Sequence, residues 1–491
     1  MGKDLAAGVF APADRVTFRH QVRRCLDVFA QMLDQGAFVS RDGMTGLEIE
    51  LNLIDQNGRP AMRNAEVLAL LGDPAFQTEL GRFNLELNAP PRSISGDGLG
   101  DYERDLLESL HRAAERAAKA DCGLVLIGML PTLAPGDLVL ENLSGNERYR
   151  LLNDELAGAR GEQFALDIGG VERLRSVSDS IVPEAACTSV QFHLQVPPDR
   201  FDRFWNASQA IAGAQVAVGA NSPFLHGRRL WAETRIALFQ QATDTRPEEL
   251  KTQGVRPRVW FGERWITSVL DLFEENVRFF PPLLPILSDE DPVEVLRAGG
   301  VPRLREFRLH NGTVYRWNRP VYDVVDGRPH LRVENRVLPS GPTVVDLLAN
   351  AAFYFGLVRQ LAEEESPIWS RLPFSAAREN FHAGAVDGIE ATVFWPGRGE
   401  TPVVELVRSV LLPKAYAGLD RYGVEPALRD RLLGIIDERC RSGRNGATWQ
   451  TEAVRLAERR GRSRNEALRE MLLRYAELHR TNEPVHTWPL P

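Results

Sequence analysis

An alternating run of apolar and acidic residues at positions 45–55 places the tightest limit on what this chain can fold into. Leucine or isoleucine fills every second position, and Glu48, Glu50 and Asn52 lie between them. Because successive side chains of a strand point to opposite faces, the pattern predicts a strand with one apolar and one acidic face. Turn residues at positions 56–58 end the strand.

Three further runs alternate in the same way, and each also has a polar face. Prolines at positions 90–91 and 197–198 follow two of them and mark where those strands are expected to end. The polar positions are Glu86 in the run 83–88, Gln191, His193 and Gln195 in the run 188–196, and Arg332, Glu334 and Arg336 in the run 331–338. We therefore expect several strands whose polar faces meet in one place.

Helical periodicity surrounds these runs. It predicts helices over residues 16–35, 101–121 and 343–365, and a capping box opens the last of them. A short buried strand is expected over residues 123–128, and the chain from residue 402 onwards is predicted to be almost wholly helical.

Composition excludes several classes of protein. The formal net charge is -8 and only four lysines occur, which disfavours a nucleic-acid-binding protein. The four cysteines are widely spaced and form no CxxC pair, as is typical of a reducing compartment. The longest apolar stretch recognised, residues 123–133, is broken by glycine and proline and is too short to span a bilayer. No signal peptide is evident, so we expect a cytoplasmic protein without a membrane partner.

The spacing of Glu48 and Glu50 suits metal-dependent phosphate chemistry. Carboxylates at positions i and i+2 of a strand project from the same face and lie about 7 Å apart, so each can bind a different metal ion. Oxygen ligands with few histidines favour Mg²⁺, or Mn²⁺, over zinc. Neither a P-loop nor a dinucleotide-binding glycine motif occurs, so bound phosphates would be held by metal ions and arginines.

Each of these features also has a purely structural explanation. Glu48 and Glu50 fit a half-exposed strand face, and His193 fits a hydrogen-bonded, partly buried histidine. Arg332, Glu334 and Arg336 fit a surface ladder of charges across neighbouring strands.

Five segments in order resemble the glutamate-cysteine ligases and their carboxylate-amine ligase relatives. The opening GxExE strand of that family resembles TGLEIELNLID, and its following ELxxxP segment resembles FNLELNAPPR. Its HxH-type strand resembles SVQFHLQV, with Gln191 in place of the first histidine, and its LExR strand resembles LRVENRVLPSGP. The most specific match is ANSPFLHGRRLWAETRIALFQQATDTRP, and the resemblance extends over about residues 44–365.

The resemblance assigns roles to individual residues. Metal ligands near the ATP phosphates would be Glu48, His193 and Glu334, and metal ligands near the carboxylate substrate would be Glu50 and Glu86. Glu334 and Arg336 would act in catalysis, Arg336 facing the transferred phosphoryl group, and Arg332, Arg336 and Gln191 would contact the nucleotide. Substrate-binding residues would be Arg235, which grips a carboxylate, Asn221, which shapes the loop, and Arg246. Alternatively, the ANSPF segment is only a turn-rich loop and Arg235 lies on a helix surface.

The fold implied is α+β, of the glutamine-synthetase-like type. A curved, mostly antiparallel sheet would carry the polar residues on its inner face and helices on its outer face. Residues 1–400 would form the catalytic domain, and residues 401–491 a helical region packed on the same unit. The reaction implied uses ATP to convert a small carboxylate into an acyl phosphate, which an amine attacks to form an amide.

Glutamate and cysteine are the best-known substrates of the family, which makes a γ-glutamyl amide one candidate product. A phosphotransferase on a related sheet would need similar acidic and arginine-rich strands. A ligase-like protein that binds nucleotide without turnover is a third alternative, because Gln191 departs from the family pattern. The identity of the amine and the oligomeric state stay open, and an oligomer is one of the alternatives.

Overall fold

Seven strands form one antiparallel sheet within residues 10–491, the part of the chain that this computed structural model describes. Four of the strands contain the alternating runs expected from the sequence. The strands of the chain are β1 (Met44–Ile54), β2 (Phe76–Thr78), β3 (Asn84–Ser93), β4 (Gly123–Val125), β5 (Phe164–Gly169), β6 (Arg173–Ser178), β7 (Val190–Gln195), β8 (Phe224–Leu225), β9 (Arg228–Arg229), β10 (Val259–Trp260), β11 (Tyr315–Arg316), β12 (Asn318–Val325), β13 (Arg328–Asn335), β14 (Thr392–Trp395) and β15 (Gly399–Pro402).

The large sheet has the strand order β12-β13-β7-β1-β3-β2, and β4 pairs with the last residues of β1. It curls into an antiparallel half-barrel, as expected for the α+β fold class. The remaining strands form two-stranded ribbons outside it.

Helices make up most of the rest of the chain. They are α1 (Pro12–Asp34), α2 (Asn64–Leu71), α3 (Gly98–Lys119), α4 (Glu147–Arg160), α5 (Phe201–Gly219), α6 (Thr234–Ala242), α7 (Glu248–Thr252), α8 (Val269–Phe279), α9 (Pro292–Arg297), α10 (Arg305–Asn311), α11 (Val344–Glu363), α12 (Phe374–Asp387), α13 (Val403–Leu406), α14 (Leu412–Arg421), α15 (Pro426–Ser442), α16 (Gly446–Arg459) and α17 (Arg464–His479).

The outer face of the sheet is apolar and lies against helices. Leu47, Ile49 and Leu51 of β1 are fully buried on this face. Phe192 of β7 contacts Tyr354 of α11 with 6.0 Å between ring centres. Burying a side chain of this size stabilises the fold by roughly 1.5–3 kcal/mol. The apolar positions therefore decide which face of each strand packs against the helices. The acidic positions of the same strands are left on the concave side.

Two strand boundaries differ from those predicted. We expected a strand to stop at residues 90–91, but β3 continues through both prolines to Ser93. The pairing of β1 with β3 shifts register between Thr45 and Leu47, and such a bulge tolerates the missing N–H donors of proline. In addition, β13 ends at Asn335, so Arg336 lies just beyond the strand that was predicted to contain it.

The helix α11, and not the apolar stretch at residues 123–133, is long and apolar enough to cross a membrane by length and composition. Of its most apolar window, 89% is buried inside the protein. Core helices of this kind pass the same test.

The C-terminal helices share their cores with the rest of the chain. Side chains of α14 and α15 belong to the same buried cluster as β1 and α11. Side chains of α16 and α17 belong to a second cluster, together with Val125 of β4. The division into domains at residue 400 stays a prediction, and the packing shows that residues 401–491 lie against the sheet-bearing part of the chain.

Candidate active site

The concave face of the sheet gathers the polar residues of four strands. Antiparallel pairing places Glu50 opposite Glu86 and Glu48 opposite Gln191, and it places Glu334 opposite His193. Directly opposed residues have Cβ atoms about 5 Å apart, so the register alone brings these side chains within reach of one another.

His193 is held between a carboxylate and a guanidinium. Its Nε2 lies 3.1 Å from Oε1 of Glu48, and its Nδ1 accepts a hydrogen bond of 3.1 Å from Nε of Arg332. The Nε2 contact has the distance of an ion pair but not the geometry of a hydrogen bond, so this buried atom has no hydrogen-bond partner in the described chain. Because Nδ1 is an acceptor, neutral His193 carries its proton on Nε2, facing Glu48.

Glu334 lies between two arginines and is only 1% exposed. Nη2 and Nε of Arg319 donate to its Oε2 at 2.6 and 3.1 Å, and Nε of Arg336 donates to its Oε1 at 2.9 Å. Burial acts to raise the pKa of Glu334, but the charges of the two arginines outweigh burial and hold the pKa well below its usual value. Glu334 is therefore a permanently ionised, fully paired carboxylate.

Gln191 connects the two ends of the site. Its Nε2 donates to Oε1 of Glu50 at 3.4 Å, and its Oε1 accepts from Nη2 of Arg336 at 3.2 Å. The backbone N–H and the hydroxyl of Ser189 also donate to Glu50, at 2.6 and 3.0 Å. The amide that stands in place of the family histidine thus fixes a carboxylate and an arginine relative to each other.

The other end of the concave face is rich in carboxylates. Glu86 accepts hydrogen bonds from Gln77 at 2.8 Å and from Asn88 at 2.7 Å. Burial, followed by the charge of Glu48, raises the pKa of Glu86 to about 7. The concave face therefore has an end rich in carboxyl groups, in addition to the arginines that surround Glu334.

Two carboxyl groups of this end, Glu79 and Glu184, lie outside the sheet and were not predicted from the sequence. Burial, followed by the charge of Glu50, raises the pKa of Glu184 to about 8, and the same causes raise the pKa of Glu79. Neither residue lies in an alternating run, so no periodic signal marked them. Arg319 was missed because its strand, β12, was not predicted.

The three predicted substrate residues are placed differently from one another. Arg235 lies near Glu50, but its Nε donates to Glu233 at 3.1 Å and its Nη2 donates to the carbonyl of Val337 at 2.5 Å. Arg235 therefore supports the segment that follows β13, and its grip on a substrate carboxylate stays a prediction.

Asn221 is fully buried, and its side chain makes hydrogen bonds that hold its own loop in place. Its Nδ2 donates to the carbonyl of Ser340 and to the hydroxyl of Tyr475, both at 2.8 Å, and its Oδ1 accepts from Gln450. All the polar groups of this side chain are used inside the protein, so the structure provides no group for a substrate contact.

Arg246 is paired with Asp244 through Nε and Nη2, at 2.8 and 2.9 Å, and donates to the carbonyl of Val255 at 2.7 Å. None of these contacts connects it with the strand residues of the concave face. The structure thus brings together the predicted strand residues, and it does not join Arg246 to them.

The residues present fit divalent metal ions of the Mg²⁺ type. Within residues 10–491 no group of three metal-binding side chains is preassembled, because arginine, serine and amide donors hold the carboxylates. The donor set itself is five predicted ligands, of which four are carboxylates. The fifth is His193, whose Nε2 has no hydrogen-bond partner among the described residues and would have to release its proton to bind a metal ion. Burial, followed by the charge of Glu48, raises the pKa of Glu86, and a bound cation would favour its ionised form. Oxygen donors suit Mg²⁺ or Mn²⁺.

A cavity of about 580 Å³ opens beside Glu48, His193 and Arg332. Apolar side chains line part of it, among them Val39, Met44 and Val325. Gly46 lies between Met44 and Glu48 on the same face of β1. Because it carries no side chain, it leaves space in this part of the cavity. The remaining lining residues are Arg41, Thr45, Leu47, Asn88, Ala89, Pro91, Gln195, Asp323, Asp326, Arg328 and His330.

Comparison with known proteins bears on the family and the fold of this chain. Residues 44–474 match the model of glutamate-cysteine ligase family 2. A glutamate–cysteine ligase from Francisella tularensis, solved in complex with AMP, superposes with a TM-score of 0.56 at 13% identity, covering 93% of this chain and 91% of that one. A bifunctional glutathione synthetase from Pasteurella multocida superposes with a TM-score of 0.52 at 13% identity, covering 93% and 55%.

None of the curated protein sequences compared with this chain matches it. The likeness to the two solved enzymes shows the fold, and the match to the family model covers most of the chain. The chain is therefore an enzyme of the ATP-dependent ligases that form carbon–nitrogen bonds, and it belongs to glutamate-cysteine ligase family 2.

Proposed function

We propose that this enzyme joins a small carboxylic acid to an amine by way of an acyl phosphate made from ATP. The observation that carries the proposal is the arrangement of arginines and carboxyl groups on the concave face. Arg319, Arg332 and Arg336 lie at the end that holds Glu334, and Glu79, Glu86 and Glu184 belong to the other end. Phosphoryl transfer requires fixed positive charge around the transferred group, and an acidic region attracts a metal ion or a protonated amine.

The cavity beside Glu48 and His193 is proposed to hold the nucleotide. Its apolar side chains, Val39, Met44 and Val325, suit a purine base, and Arg332 at its inner end suits the phosphates. The Francisella tularensis enzyme, which shares the fold, was solved with AMP and supports nucleotide use by this chain.

Glu48, His193 and Glu334 would hold one Mg²⁺ ion, and Glu50 and Glu86 a second, with Mn²⁺ as an alternative. Such ions neutralise the charge of the phosphates and orient the transferred group. Arg336, held by Gln191 and Glu334, is placed to stabilise the charge that develops on that group. Glu79 and Glu184 belong to the carboxyl-rich end of the site, where a bound cation would favour their ionised forms. Glutamate and cysteine are the first substrates to test, because they give the family its name.

Hydroxylamine trapping tests the proposal. Hydroxylamine attacks an acyl phosphate in place of the natural amine, so the correct carboxylate should give a hydroxamate together with ADP and inorganic phosphate. We expect Arg336→Ala to lower the hydroxamate rate by at least about 100-fold, in the range seen when one donor to a developing oxyanion is removed. Arg24→Ala, which removes an arginine from an exposed ion pair with Asp291, is the matched control and should leave the rate unchanged.

Two other outcomes would overturn the ligase assignment. A stable phosphorylated product without hydroxamate would identify a phosphotransferase. Nucleotide binding without turnover over a broad panel of carboxylates, with folded and metal-loaded protein, would identify a binding protein.

A further inference from the structure

Two arginines occupy both carboxylate oxygens of Glu334. A carboxylate offers about four lone-pair positions. Arg319 donates two hydrogen bonds to Oε2, and Arg336 donates to Oε1 through both Nε and Nη2. A metal ion can therefore bind Glu334 only if at least one guanidinium leaves it.

The local charge opposes a metal ion that arrives alone. Glu334 is paired with two arginines, Arg319 and Arg336, whereas Arg332, two positions earlier on the same face of β13, is paired with Asp323 at 3.2 Å. A divalent cation would meet these like charges inside a partly buried site, where screening by water is weak. Nucleotide phosphates change the balance, because they bring negative charge and accept hydrogen bonds from any guanidinium that is released.

His193, like Glu334, is hydrogen-bonded by an arginine. Arg332 donates to its Nδ1, which leaves the proton of the neutral ring on Nε2, on the side of Glu48. Arginines thus hold two of the three residues to which the first metal ion is assigned.

We propose that Arg319 is a positioning residue that keeps Glu334 from binding metal until nucleotide phosphates are present, so that metal and nucleotide bind as a pair. The proposal rests on the proposed function, since it concerns the same site. Arg319 lies on β12 and reaches Glu334 from the neighbouring strand, where the two residues are directly paired. Its bonds to Oε2 leave Oε1 to Arg336, and Arg336 is the group that the phosphates would draw away.

The binding of Mn²⁺, measured by electron paramagnetic resonance without any carboxylate substrate, tests this inference. The wild-type protein is titrated with Mn²⁺ in the presence and absence of adenylyl imidodiphosphate, and a titration without protein corrects for Mn²⁺ held by the nucleotide in solution. We expect the nucleotide to tighten Mn²⁺ binding at least about tenfold. Arg319→Gln should reduce that factor to below about threefold, mainly by tightening Mn²⁺ binding in the absence of nucleotide.

Two matched variants accompany the measurement. Arg319→Lys keeps the charge and should retain a coupling between those of the wild type and Arg319→Gln, whereas a merely structural defect would not follow the charge. Arg24→Gln removes an arginine from the exposed pair with Asp291 and should behave as the wild type. Circular dichroism establishes that each variant is folded.

Equal Mn²⁺ affinities with and without nucleotide in the wild type would overturn the inference, and this arm needs no variant. Full coupling in folded Arg319→Gln would overturn the role of Arg319. In either case, normal hydroxamate formation by the wild type would leave the proposed function standing. Absence of both Mn²⁺ and nucleotide binding in every arm would overturn both proposals.

Discussion

Glu184, on the segment before β7, is a carboxyl group whose proton is held unusually tightly. Its pKa is raised from 4.5 to about 8 by burial and by the charge of Glu50, with Arg336 and Arg235 acting in the opposite direction. The folded protein therefore binds a proton at Glu184 at neutral pH, whereas the unfolded chain does not. Stability linked to this group is fully present below pH 4.5 and is lost as the pH rises towards 8.

Glu184→Gln should remove this dependence, because the amide stays neutral at every pH. We expect the variant to be more stable than the wild type at pH 8 by a few kcal/mol, on the order of 1.4 kcal/mol for each pKa unit, and to differ little at pH 5. Urea unfolding at a series of pH values measures the difference. Glu400→Gln, at an exposed carboxylate, is the control, and parallel pH profiles for wild type and Glu184→Gln would contradict the expectation.

At this scale the sequence predicts which strand residues lie together on the concave face. The i, i+2 pattern identified Glu48, Glu50 and Glu334 because a strand puts alternate residues on one face. It could not identify Glu184, which lies in the short 3₁₀ helix Val182–Ala186, since the position of such a residue in the site is set by long-range packing. Nor could it show that the donors of Arg246 are used by Asp244, because that pairing depends on the folded loop.

At the scale of elements, the hairpin of β12 and β13 decides where Arg319 and Glu334 meet. Its two-residue turn has Asp326 at φ 51° and Gly327 at φ 72°, between the paired residues Val325 and Arg328. A two-residue loop with positive φ at both positions matches the twist of the strands, and Asp-Gly is a strong sequence signal for it. This signal was present in the sequence and would have predicted β12, whose own residues alternate poorly.

Gly327→Val should weaken the hairpin, because a β-branched residue is strained at positive φ. We expect a loss of about 1–2 kcal/mol in the free energy of unfolding. Gly434→Ala, within α15 and with no atom near an added Cβ, should instead be neutral or stabilising by about 0.5–1 kcal/mol. Urea unfolding of both variants measures these changes. An equal stability of Gly327→Val and the wild type would show that the turn is not rigid at this position.

For the whole molecule, a buried ion pair joins the C-terminal helices to the helix behind the sheet. Arg439 of α15 lies 2.7 Å from Asp346 of α11, and both side chains are almost fully buried, at 1% and 0% exposure. Arg439 also donates to Asn350 at 2.6 Å. Helical periodicity predicted both helices, but the pairing between them joins residues 93 positions apart and was not visible in either pattern.

Arg439→Met should leave Asp346 without its charged partner and cost about 3–5 kcal/mol, as breaking one side of a buried pair does. Arg441→Met, two residues along the same helix in an exposed pair with Glu438, should cost no more than about 1 kcal/mol. Urea unfolding is followed by circular dichroism and by tryptophan fluorescence. Coincident transitions that shift together would place residues 401–491 in the same cooperative unit as the sheet, and an early separate transition of the helices would contradict that placement.

The hydroxyl of Tyr475 connects distant parts of the chain at one point. It donates to the carbonyl of Leu126, just after β4, and accepts from Asn221, whose loop leads to Arg235. Because α17 is synthesised after every strand of the sheet, a nascent chain possesses the concave face before it possesses this support. The loop that holds Asn221 therefore gains its hydrogen bond to Tyr475 only after α17 has been synthesised.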